Sequence, residues 1–363
     1  MAHVFGRTFV SSNQVFAVDE TGPGNTDISS PIQAVTPAIP VGRLTDPDFR
    51  VYVGTSDGKI AVFHEPLSNP PQIFQVTGEP VLWSLYHAAG VLYLGTGDFS
   101  TSGTLLALDD SILAVRWQIA LGGPVLYPVG VAYQGNTPKQ VIVTNGNPNA
   151  TVRGLDVATG AELWSIPDST IEGPRVHNGV VYYANGSDSS VTARSASDGQ
   201  LLWRFKSPRN ANFHLPMAAG GVVWATSEAF EIVALNASNG GVLWEVRGVL
   251  FPGPPSVHFD HNYGLALLVY GEGFGTGPGF LRGLDANTGA QLWTSSAPVS
   301  QSGMQSSIPI IVQPNQFFGD FQVQVGSSFG TLMSFNAFNG QMFWEEQLNP
   351  GEPIFVKPHW AYF

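Results

Sequence analysis

An all-β fold, a ring of eight four-stranded antiparallel blades, is what this sequence predicts. Three observations carry the prediction. A strand-turn-strand phrase recurs with a period of about forty residues, the length of one blade. The 42 Gly and 27 Pro are spread evenly, as tight turns between many short strands require. No apolar pattern of helical period is long enough to build an α/β domain.

The phrase is clearest in "VRGLDVATGAELW" ending at Trp164, "VTARSASDGQLLW" at Trp203, "IVALNASNGGVLW" at Trp244, "LRGLDANTGAQLW" at Trp293 and "LMSFNAFNGQMFW" at Trp344. Weaker forms are "LLALDDSILAVRW", ending at Trp117, and "IAVFHEPLSNPPQIF", running to Phe74, in which the glycine turn has decayed. Each part has a physical task. The Asp or Asn before the turn bonds its own backbone, Gly takes the positive φ of the turn, and Trp buries a large face between neighbouring sheets.

A further apolar strand precedes each phrase, commonly entered through proline: Thr36-Pro37, Tyr127-Pro128, Gly173-Pro174, Leu215-Pro216, Pro254-Pro255, Ile308-Pro309 and Lys357-Pro358, with Ser84-Leu85 the exception. The last of these, "PIFVKPHWAYF", has nothing after it, while residues 3–30 read as blade strands lacking a first one. An innermost strand from 353–363 joined to 3–30 would complete the eighth blade, close the ring and remove exposed sheet edges. The expected organisation is therefore one domain, 1–363, whose N- and C-terminal strands share a blade.

Composition limits function. With 15 Lys plus Arg against 27 Asp plus Glu, the net charge of −12 leaves no basic surface to neutralise phosphates, so nucleic acid is not an expected partner. No run approaches the ~18 apolar residues of a membrane span. Polar groups break every apolar stretch of the first twenty residues, so no signal peptide shows. The expectation is a cytoplasmic chain, or a periplasmic or secreted one if a leader was removed. Zero Cys excludes disulfides, thiolate zinc sites and cysteine nucleophiles.

The "LDxxTGxxLW" pattern, as it stands in residues 155–164 and 284–293, resembles the tryptophan-docking repeat of the pyrroloquinoline-quinone-like propeller superfamily. The resemblance covers nearly the whole chain and implies the fold. For function it implies a spread, from quinoprotein alcohol dehydrogenases to outer-membrane assembly lipoproteins and binding propellers. The dehydrogenases carry an adjacent cysteine pair and hold calcium through a Glu/Asn/Asp set. Neither can be matched here, so no cofactor is predicted, and calcium or the quinone would enter only through the resemblance. The lipoprotein's lipobox cysteine is missing too.

In such a ring, the connections leading into the innermost strands open on one face with the loops between second and third strands. Three of those loops are long, at 95–104, 145–151 and 271–280. Long loops on a rigid scaffold often carry function. Aligning the lead-in strands places Thr36, Ser84, Tyr127, Gly173, Leu215, Pro254, Ile308 and Lys357 on one ring, with Trp83, Glu172, His214 and Gln305 close by. The candidate catalytic set is Glu172, His214 and Lys357, and the candidate ligand-binding set is Trp83, Tyr127, Gln305 and Thr36. His177, His258 and His261 suggest a metal only weakly, and none is assigned.

Two readings stay open. One is a monomeric binding or scaffold module holding a small molecule, peptide, glycan or protein on its top face. The alternative is a cofactor-independent enzyme with a top-face pocket for a small substrate, aromatic ones included. A quinoprotein dehydrogenase ranks behind both.

Overall fold

Strands this short must find partners for their amide and carbonyl groups in a neighbouring strand. In the computed structural model they do so as eight separate four-stranded antiparallel sheets, arranged as an eight-bladed propeller. The structure describes residues 2–348 except 5–6, 12–13, 20–25, 30, 33, 37, 43–45, 65, 99–100, 148, 171, 250–252, 261–264, 273–278, 300–309, 313–320 and 328–329. Numbered from the N-terminus, blades 1 to 8 span 2–28, 39–75, 81–120, 130–166, 175–206, 217–247, 256–294 and 310–347. Among the described residues there is no helix, so none is long and apolar enough to cross a membrane.

Blade 1 differs from expectation. Its four strands, Ala2–Val4, Arg7–Ser11, Val15–Asp19 and Thr26–Ile28, all come from the N-terminal stretch. Ala2–Val4 pairs with Arg7–Ser11 and neighbours the inner strand of blade 2, the place assigned above to 353–363. The physical reason is local: "AHV" and "RTFVS" are joined by a two-residue hairpin, which needs far less loop closure than a strand arriving from the other end of the chain. Residues 353–363 lie outside the described residues.

Among the described residues the core divides into eight apolar clusters, one at each junction between successive blades. Five junctions share one device. The indole N–H of Trp117 donates to Val157 O at 3.0 Å, Trp164 to Ala196 O at 2.9 Å and Trp203 to Ala237 O at 2.7 Å. Trp244 donates to Ala286 O at 3.2 Å and Trp293 to Ala337 O at 2.8 Å. Each acceptor lies in the turn of the following blade, and the glycine of that turn covers the ring. At Gly240, with φ +72, an added Cβ would stand 2.7 Å from Cε3 of Trp203, so both the turn and the ring require glycine.

The ring closes between blades 8 and 1. There Val10, Phe16 and Val18 meet Leu332, Trp344 and Leu348. A fully buried polar pair joins the same junction, with the Thr8 hydroxyl donating to Gln324 Oε1. Among the described residues the Trp344 indole N–H has no acceptor.

Candidate functional site

The connections into blades 2, 4, 5 and 6 are pinned in the same way, by a backbone contact to the end of the second strand of the blade they enter. Ala34 bridges Thr55, Thr170 bridges Asn185, Phe213 bridges Ser227, and Gly146 N donates to Pro124 O at 2.9 Å, with Val125 N also held by Thr96 O of the preceding blade at 3.2 Å. The next one or two residues are thereby set at the mouth of the channel: Thr36, Tyr127, Glu172 and His214. Pinned backbone is what lets a loop residue hold a fixed position.

Three of these come together from three successive blades. His214 Nδ1 stands 3.7 Å from Glu172 Oε1, an ion-pair distance when the imidazole is protonated. Their side chains are only 19% and 15% exposed. Gly173 follows Glu172 so closely on Tyr127 that an added Cβ would come within 2.8 Å of the tyrosine's own Cβ. Burial, reinforced by the Glu172 charge, pushes the Tyr127 phenol above its ordinary pKa of 10, so it stays a hydrogen-bond donor at neutral pH. A carboxylate acceptor, an imidazole and a phenol donor thus line one arc of the mouth.

The remaining nominees fare differently. Thr36 is tied into its own surroundings: its hydroxyl accepts from Gly54 N at 2.7 Å and its carbonyl accepts from the Ser11 hydroxyl at 2.8 Å. The Trp83 backbone lies in the inner strand of blade 3, Val81–Ala88, and its side chain lies outside the described residues. Gln305 and Lys357 also lie outside them. His177 and His258 occupy inner strands of blades 5 and 7, which are not neighbours, and the His258 ring packs on Phe321 at 5.3 Å.

Two of the long loops are fastened by their own side chains. Asp98 Oδ1 accepts from the backbone N–H of Thr101 at 2.7 Å and of Ser102 at 3.0 Å. Asn145 Nδ2 donates to Asn149 O at 2.8 Å. Residues 273–278 of the third loop lie outside the described residues.

Sequence reasoning missed a charge network in blade 5. Asp168, 8% exposed, accepts from Tyr183 Oη at 2.7 Å and Asn185 Nδ2 at 2.5 Å. Arg194 and Arg204 approach the same carboxylate at 3.5 and 3.4 Å. A signal existed: Arg194 occupies the phrase position held by Leu155, Leu235 and Leu284 in sister blades. A charge at a core position needs a countercharge.

A calcium-quinone centre asks for several oxygen donors around one point. Among the described residues no three His, Cys, Asp or Glu side chains gather to hold a metal, and Glu172 meets an imidazole rather than a second acid. The donor set described does not fit that group.

Comparison with known proteins gives four results. Residues 148–272 and 187–354 match the family model described as outer membrane protein assembly factor BamB. Over 195 residues the chain is 28% identical to 1-butanol dehydrogenase (quinone) of Thauera butanivorans, covering 47% of this chain and 29% of that one. Over 222 residues it is 24% identical to outer membrane protein assembly factor BamB of Yersinia pestis, covering 58% and 54%. The matches thus span under a third of the first relative and about half of the second. The crystal structure of BamB from Moraxella catarrhalis superposes with a TM-score of 0.65 at 17% identity, covering 94% of this chain and 91% of that one. At that identity the likeness speaks to fold alone.

Proposed function

The chain belongs to the family of PQQ-like repeat propellers described as outer membrane protein assembly factor BamB, and from that premise we propose that it is a binding module for a protein partner in outer-membrane assembly. The observation that carries the reading is the arc of Tyr127, Glu172 and His214, drawn from three successive blades and held on pinned backbone. A carboxylate beside a protonated phenol takes a donor-rich group, such as a basic side chain or a peptide amide. The net charge of −12 steers a basic segment toward the ring. Asp98 with Thr101 and Ser102, and Asn145 with Asn149, add fastened loop residues to the same face. This reading puts the chain in the compartment facing the outer membrane, in line with the periplasmic alternative.

The test is titration of the purified chain with an outer-membrane assembly β-barrel protein. Glu172→Arg is expected to weaken the complex by about tenfold or more, the size of a lost charge-assisted contact. Lys139→Glu, near the opposite face, should leave it intact. Equal affinity of wild type and Glu172→Arg overturns the top-face reading.

One observation favours a second reading, an enzyme with an acid-base pair at the mouth: Glu172 and His214 stand 3.7 Å apart beside a proton-donating Tyr127. Turnover of a small substrate lost in both Glu172→Gln and His214→Gln would replace the binding reading.

A further inference from the structure

The junction between blades 2 and 3 lacks the tryptophan dock. Gln72, opposite Val62, stands where the sister blades carry Trp, and Leu113, at φ 54, stands where the following turn carries Gly. The carbonyl of Asp110, equivalent to that of Val157 in the sister turn, is not bonded to an indole. It accepts instead from Arg50 Nη1 at 3.0 Å and from the Tyr52 hydroxyl. With no ring in the dock and the acceptor carbonyl otherwise engaged, a cavity of about 390 Å³ remains on the side opposite the mouth, lined in part by Val62, His64, Gln72 and Phe74. That volume lies at the lower end of the range for small-molecule sites.

The wall chemistry is divided. Phe74, Leu113 and Val62 make an apolar floor, while Arg50, His64 and Gln72 bring nitrogen groups to its edge. Arg50 is bonded to neutral carbonyls: Nε to Asp48 O at 3.1 Å, Nη1 to Asp110 O at 3.0 Å and to Ser111 O at 3.3 Å. The Tyr52 hydroxyl is a further side-chain hydrogen-bond partner, and among the described residues no carboxylate is paired with the guanidinium. The nearby Asp110 carboxylate is engaged by His87 Nε2 at 2.8 Å. Asp48, at the exposed rim, is the opposing charge, and there water screens it. A half-buried guanidinium held by neutral partners and not by a carboxylate, over an aromatic floor, suits a planar ring bearing a carboxylate.

We propose that this cavity is a binding site for a small aromatic carboxylate, with the ring between Phe74 and Leu113 and the carboxylate on Arg50. The site is separate from the mouth and does not depend on the partner proposed there.

Isothermal titration of the full chain with indole-3-acetate, and separately with indole and with acetate, tests it. Indole-3-acetate is expected to bind about tenfold more tightly than indole, the contribution of one charge-assisted contact, and acetate alone to show no heat. Gln72→Trp combined with Leu113→Gly rebuilds the dock of the sister junctions, so the pair should abolish binding without lowering the melting temperature. Asp48→Asn should tighten binding about two- to fivefold by removing the like charge at the rim. Undiminished binding to the Gln72→Trp, Leu113→Gly variant overturns the proposal, as does equal affinity for indole and indole-3-acetate. Arg50→Met should lose the preference for the acid. If that variant melts early, the results for the rebuilt dock and for Asp48→Asn still decide.

Discussion

The ring has two kinds of junction. From blade 3 round to blade 8, each blade passes a tryptophan under the glycine turn of the next, and the indole N–H finds a carbonyl there. Across the N-terminal quarter the device fails. Trp344 has no acceptor among the described residues, and the register places Asp27 of blade 1 and Gln72 of blade 2 where the sister blades carry tryptophan. Yet blades 1 and 2 pair their strands as the others do. Strand pairing therefore makes a blade, and the tryptophan seals it to its successor. Where the seal is missing, polar groups take over: Thr8 with Gln324 at one junction, Arg50 and Tyr52 with Asp110 at another.

The comparison breaks most sharply under truncation. Trp203→Ala at a sealed junction is expected to cost about 3–5 kcal/mol in denaturant unfolding, as a large-to-small change in a packed core does. Phe74→Ala, beside an existing cavity, should cost only about 1–2 kcal/mol, because less packing is lost. Equal losses would mean that the two junction types are energetically alike.

Next in size is the charge network of blade 5. Asp168→Ala leaves Arg194 buried without its countercharge and should cost about 2–3 kcal/mol, tempered because Arg204 is 32% exposed and can turn to water. Adding Arg194→Leu restores the residue of the sister blades and should recover most of that loss. A double variant no more stable than the single one would show that the network does more than satisfy its own charge.

The smallest effect is a pH dependence at the inner strand of blade 5. Burial lowers the His177 pKa below its ordinary value of 6.5, so the unfolded chain takes up this proton first. That contribution to stability is complete above about pH 6.5 and is lost as pH falls toward the folded value. His177→Gln should flatten the slope of unfolding free energy between about pH 7.5 and 5.5. An unchanged slope would remove His177 as its source.

Much of this was legible in the sequence, because the dock combines two residues with few substitutes. Gly240 must take a positive φ beneath a ring, and Trp203 must span two sheets, so both recur at fixed spacing. The arc of the mouth was legible for a related reason. The proline-marked connections share one geometry, which let Tyr127, Glu172 and His214 be aligned before any coordinates. Three features were not. The inner strand of blade 1 is only three residues long, too short for a periodic signal. The Asp168–Arg194 contact joins residues 26 apart across a turn and two strands, a pairing no local pattern encodes. The cavity beside Phe74 read as decay of a motif, since sequence shows what a position has lost and not the space that the loss creates.

The forward direction of the dock has a consequence during synthesis. Each tryptophan waits for a carbonyl that lies 32 to 44 residues further along the chain. At ribosomal rates of about 5–20 residues per second, each newly made blade from 3 to 7 holds an uncovered indole for about 2–9 s. From blade 3 onward the nascent chain therefore carries one adhesive edge, which moves toward the C-terminus as translation proceeds. A stall in this stretch leaves that edge on the last completed blade, and a truncated product fails there first.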